Sequence, residues 1–109
     1  MVHKYGEFSE NQIALTKKSI RGSIFFLLLC VDNETKDEYE DVDVNEAFTN
    51  LLNKLGGLNS ILFEPPELVT VISLLERAMW TYNKPKFNFY KYRKLLLDAG
   101  SEVLKIKEV

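Results

Sequence analysis

One cysteine and one histidine are all the chain offers among its 109 residues. Cys30 alone cannot form an internal disulfide. A zinc site needs three or four convergent ligands, and His3 and Cys30 are a poor start toward one. Serine or cysteine nucleophiles need a base positioned by a third group, and His3, near the first residue, is the only histidine to supply it. Five glycines and three prolines make no low-complexity segment. They also make no phosphate-binding loop, since Gly56 and Gly57 follow a helical pattern and precede no P-loop lysine. Long apolar runs are missing too. Ile24 to Val31, IFFLLLCV, is the longest, against the roughly 20 residues that a membrane-spanning helix requires. The run lies behind Lys17, Lys18 and Arg21, and Leu27 to Cys30 superficially looks like a lipoprotein cleavage site. Leu29 is too large for that position, however, and the preceding polar stretch too long for a signal. The expectation is a protein that is not exported and works in a reducing cytoplasm.

What is present is enough for one folded unit. With 46% apolar, 12% aromatic and 28% charged residues, residues 1–109 can bury enough surface to offset the entropy of ordering and are expected to form a single helical domain. A net charge of -2 argues against a wholly basic nucleic-acid binder, but the charge is unevenly spread. Asp32, Glu34, Asp37, Glu38, Glu40, Asp41, Asp43 and Glu46 make up half of all sixteen acidic residues and are opposed only by Lys36. From Arg77 onward lysine and arginine dominate. The acidic segment lacks the sixth-position glycine and regular ligand spacing of an EF-hand, so it reads as a solvated loop over 32–42. Its carboxylates crowd into one polar stretch, without the concave apolar site that separates paired pKa values for acid–base catalysis. Glu64 and Glu67, flanking two prolines, favour a helix N-terminus. No cofactor is implied and no enzyme is expected.

The spacing of apolar residues predicts about four helices in a compact all-α bundle. Ser9 and Gln12 match a capping box, after which Ile13, Ile20, Ile24, Leu27, Leu28 and Val31 share one helical face. Phe25, Phe26, Leu29 and Cys30 lie opposite, so a helix apolar all round its last turns needs cover on both sides. Phe25, Phe26 and Leu29 are therefore candidates for a homodimer surface. The alternative is an α+β fold with residues 23–31 as a buried strand, because a short apolar run does not by itself separate the two states. Asp43 and Glu46 cap a second helix with stripe Val44, Phe48, Leu51 and Leu55, expected to close at Gly56–Gly57 and to leave 58–64 as a connection. Pro65 and Pro66 suit the start of a third, with Leu68, Ile72, Leu75, Met79 and Tyr82 inward, Val71 and Ala78 widening the stripe, and Trp80 on the flank. Asn83 and Pro85 break the chain. A last helix, starting near Lys86 or Asn88, carries Phe89, Tyr92, Leu96, Ala99, Val103 and Ile106 on its seam, with Gly100 placed to allow a close approach. Leu51, Leu55, Ile72, Leu75, Met79, Leu96 and Val103 are expected to be buried together.

Between Trp80 and Lys94 bases and aromatics interleave. Aromatic and arginine side chains anchor protein interfaces, while stacking rings among lysines hold nucleic acid. By periodicity Tyr82, Phe89 and Tyr92 belong to the core, which leaves Trp80, Lys86, Phe87, Tyr90, Lys91, Arg93 and Lys94 as candidate partner-binding residues. The string VISLLERAMWTY, Val71 to Tyr82, together with four predicted helices, is faintly similar to helical bacteriocin immunity proteins over about a tenth of the chain. So short a segment identifies no family, and the charge pattern departs from basic members. Lysine, asparagine and isoleucine usage fits an AT-rich bacterial, phage or plasmid genome. The leading expectation is a non-enzymatic protein-interaction module: an adaptor, inhibitor or immunity-type binder. The alternative is a small DNA-binding regulatory or accessory protein that grips the duplex with its basic last helix in a helix-turn-helix-like arrangement.

Overall fold

The computed structural model describes residues 2–3, 6–7, 10–61 and 65–106. Ser9, half of the expected first capping box, lies outside them. A two-residue antiparallel pair, β1 (Val2–His3) with β2 (Gly6–Glu7), precedes four helices: α1 (Glu10–Leu29), α2 (Val44–Ile61), α3 (Pro66–Tyr82) and α4 (Phe89–Leu104). These helices pack into an all-α bundle, as the periodicity predicts. The strand alternative for residues 23–31 is overturned, since the chain is helical through Leu29 and turns at Cys30. Ile20, Ile24, Leu27 and Leu28 are all buried on one helical face, and leucine-rich sequence at that period favours helix over strand.

The end of α1 shows where its orphan carbonyls go. Val31 N–H, which would serve Leu27 in a continuing helix, donates to Leu28 O instead at 3.1 Å. The Leu27 carbonyl accepts from the buried Tyr92 hydroxyl of α4 at 2.8 Å, and Thr35 Oγ1 donates to Leu29 O at 2.7 Å. Unpaired carbonyls in this buried position would be costly. The acidic segment is accordingly not a plain loop. It contains one turn of 3-10 helix, Lys36–Tyr39, and the Tyr39 ring stands edge-on to Phe26 at 5.4 Å. Its carboxylate side chains from Glu34 to Asp43 remain exposed.

Asp43 caps α2 as expected, its carboxylate accepting from Glu46 N–H at 3.1 Å. The predicted stop at Gly56–Gly57 is wrong. α2 runs through both to Ile61, because the apolar stripe continues to Leu58, which packs against the core, and neither glycine adopts a positive φ. Pro65 and Pro66 open α3. Its seam differs from the expected one: Leu68, Val71, Leu75 and Ala78 are fully buried, while Ile72, Met79 and Tyr82 pack at its edge. Ala78 on α3 and Ala99 on α4 are small and fully buried, and small side chains let helices approach closely. α3 and α4 form the most extensive helix pair, and α1 packs more extensively on α4 than on α2. Gly100 plays no part in such an approach, since a Cβ there would meet nothing within 4 Å.

Three contacts give the directions of the helices. Tyr92 near the start of α4 reaches Leu27 near the end of α1, Lys17 Nζ donates to Leu104 O at the far end of the same pair, and Asn45 and Asn83 exchange amide hydrogen bonds of 2.7 and 2.9 Å between the start of α2 and the end of α3. The acidic connection α1–α2 and the basic connection α3–α4 therefore share one end of the bundle.

Candidate functional site

The α3–α4 connection is short because both of its ends are capped. Asn83 N–H donates to Met79 O and Trp80 O, and its side-chain amide donates to Met79 O at 2.8 Å. Pro85 cannot extend the helix. Asn88 then caps α4, its side-chain oxygen accepting from Lys91 N–H at 3.1 Å. Lys84, Pro85, Lys86 and Phe87 are held in a tight span between the two caps.

Six of the seven candidate partner-binding residues fall within or just after this connection, and Trp80 lies one turn before it. Trp80 is 63% exposed and carries the Lys84 ammonium 3.7 Å above its ring, a cation–π contact that leaves the other face of the indole open. Phe87 leans into the core, with ring edges toward Tyr82 at 5.9 Å and Tyr92 at 5.5 Å. Tyr90 stands 82% exposed, with the Phe89 ring beside it at 6.0 Å. Lys86, Lys91 and Arg93 are exposed and in no ion pair among the described residues. Lys94 pairs with Asp98 at 3.0 Å on the surface, a contact of little energetic weight. The rings therefore stand among exposed cations, and the Asn45–Asn83 pair joins the start of α2 to the end of α3.

The three residues expected to form a dimer surface do not make one patch. Phe25 is 56% exposed on the side of α1 facing α4. Phe26 is covered by Tyr39 on the opposite side, and Leu29 is half-buried. Sequence reasoning missed the residues that accompany Phe25. Leu97 and Leu104 on α4 are exposed and, with Tyr90, repeat every seven residues on the side away from the buried seam, a second stripe that the stronger core periodicity hides.

Among the described residues two titratable side chains are buried: Cys30 and Tyr92. Desolvation pushes the Cys30 thiol up from its ordinary value. It pushes the Tyr92 phenol far up, with the neighbouring Cys30 and Tyr82 adding to the effect. Both are thus held neutral, the opposite of what a nucleophile requires. Among the described residues no group of three His, Cys, Asp or Glu side chains could hold a metal ion, and no helix is long and apolar enough to cross a membrane. Comparison with protein-family models, curated proteins and solved structures gives no match to this chain.

Proposed function

We propose that the protein is a non-enzymatic protein-binding module, an adaptor, inhibitor or immunity-type binder of the cytoplasm, that engages its partner through Trp80, Lys86, Phe87, Tyr90, Lys91, Arg93 and Lys94. The observation that carries this reading is the placement of the acidic segment at the same end of the bundle as these residues, linked through Asn45 and Asn83. A duplex is a dense row of phosphates. Carboxylates within about one Debye length, roughly 10 Å at 0.1 M salt, oppose its approach. A protein partner tolerates and exploits both signs, which set orientation and exclude wrong partners. Rigid exposed rings beside cations are the side chains that dominate protein hot spots. The buried free thiol of Cys30 fits a reducing compartment.

The test is a substitution series measured against proteins captured from the native host. Trp80→Ala, Phe87→Ala or Tyr90→Ala should each weaken binding more than any single Lys86, Lys91, Arg93 or Lys94 change to Glu, because desolvated aromatics carry more of an interface than rim charges. A series in which the charge reversals dominate and the aromatic changes do nothing sinks the reading and turns attention to a polyanion.

A further inference from the structure

Away from that end, α1 and α4 are separated by an open groove of about 710 Å³. Its walls are apolar, with Phe25 on α1 facing Leu97 and Leu104 on α4, the last 57% exposed. Among the described residues its charged margin is basic: Lys17, Lys18 and Arg21 line it and no aspartate or glutamate does. Lys17 spends a hydrogen bond on the last carbonyl of α4, Leu104 O, at 3.3 Å. Lys18 and Arg21 stay exposed without an ion pair among the described residues. Two glycines, Gly22 and Gly100, also line the groove. Both lie inside helices, where glycine weakens the helix relative to alanine, and a Cβ at either would meet nothing within 4 Å. The packing of the bundle therefore does not require them; what their missing side chains do is leave room in the groove.

We infer that this groove seats an amphipathic helix with acidic margins, contributed by a partner protein. An apolar trough between two helices accepts the i, i+3, i+4, i+7 face of a third. The groove follows α1 from Ala14 to Leu28, which at 1.5 Å per residue is about 21 Å, or roughly four turns. The basic margin selects glutamate and aspartate on the flanks of that helix. The chain's own acidic segment is not the occupant, because Thr35 and Tyr39 pin it beyond the end of α1, on the Phe26 side.

The experiment uses the full chain, isotopically labelled, titrated with a synthetic amphipathic helix of about 18 residues, roughly 27 Å long, with leucines on one face and glutamates flanking them. The same peptide with lysines in place of the glutamates is the counterpart. Amide shifts should concentrate at Phe25, Leu97, Gly100 and Leu104, and the lysine peptide should bind at least about tenfold more weakly. Leu97→Glu should abolish the shifts. Gly22→Ala and Gly100→Ala should raise the melting temperature yet weaken the glutamate peptide about tenfold, a combination that a purely structural role does not produce. Trp80→Ala should leave this binding unchanged, so failure here is separable from failure at the other surface. The proposal is overturned by equal binding of the two peptides, by shifts at Trp80 and Tyr90 instead, or by glycine variants that bind like the parent. It is likewise overturned if the free chain doubles its mass with concentration and Leu97→Glu restores the monomer, because a second copy would then fill the groove.

Discussion

A phenol buried away from water must hydrogen-bond, and Tyr92 does so where α1 leaves a carbonyl unserved. Its ring also meets Phe48 of α2 at 6.2 Å and Tyr82 of α3 at 6.1 Å, so this one side chain touches all four helices. Tyr92→Phe keeps the ring but strands the Leu27 carbonyl, and should cost about 1 to 3 kcal/mol in urea unfolding. The same burial predicts an alkaline limit to stability. The folded state holds the Tyr92 proton more tightly than the unfolded chain, whose tyrosines ionise near pH 10. Stability is therefore full below about pH 10 and falls above it by up to about 1.4 kcal/mol per pH unit until the fold opens. Phenolate absorbance should show Tyr92 ionising only with unfolding; its ionisation in the native state would contradict its burial. Cys30, buried and pushed toward the thiol form, should react with a thiol reagent only as fast as the protein opens.

At the scale of the helices, the clearest forecast concerns glycine. Gly56 and Gly57 sit within α2 with open space around them, so alanine at either should stabilise the protein by about 0.5 to 1 kcal/mol in thermal unfolding. A left-handed cap at those positions would give destabilisation instead. Leu75→Ala or Leu96→Ala, on the fully buried seam of α3 and α4, should each cost about 2 to 5 kcal/mol. Most helix starts were legible because their signals are local: Asp43, Pro66 and Asn88 each act on backbone groups within one turn. The stop at Gly56–Gly57 was misread because glycine permits a helix to end without compelling it, and Leu58 still had a core to reach. The α3 seam was misplaced by one position for a related reason. The spacing of Ile72 and Met79 points them inward, but the fully buried positions are Val71 and Ala78, and only the packing of the neighbouring helices decides that.

For the molecule as a whole, the sequence separates acidic and basic residues into successive segments, and antiparallel folding brings them back to one end. Helix direction, which the charge pattern does not encode, decides this. The exposure of Trp80 and Tyr90 was readable from their angular positions. The groove was not, since Phe25 and Leu97 lie on helices far apart in sequence and become neighbours only when α4 returns along α1. The decisive measurement for a protein partner over a nucleic-acid one is anisotropy of a labelled duplex titrated with the full chain across a salt series. Binding should stay in the weak non-specific range, about 10⁻⁴ to 10⁻⁶ M at physiological salt, and Trp80→Ala should not change it. Nanomolar binding whose logarithm falls by about 0.9 per neutralised phosphate against the logarithm of salt, and which Lys91→Glu with Arg93→Glu abolishes, would contradict the protein-binding function.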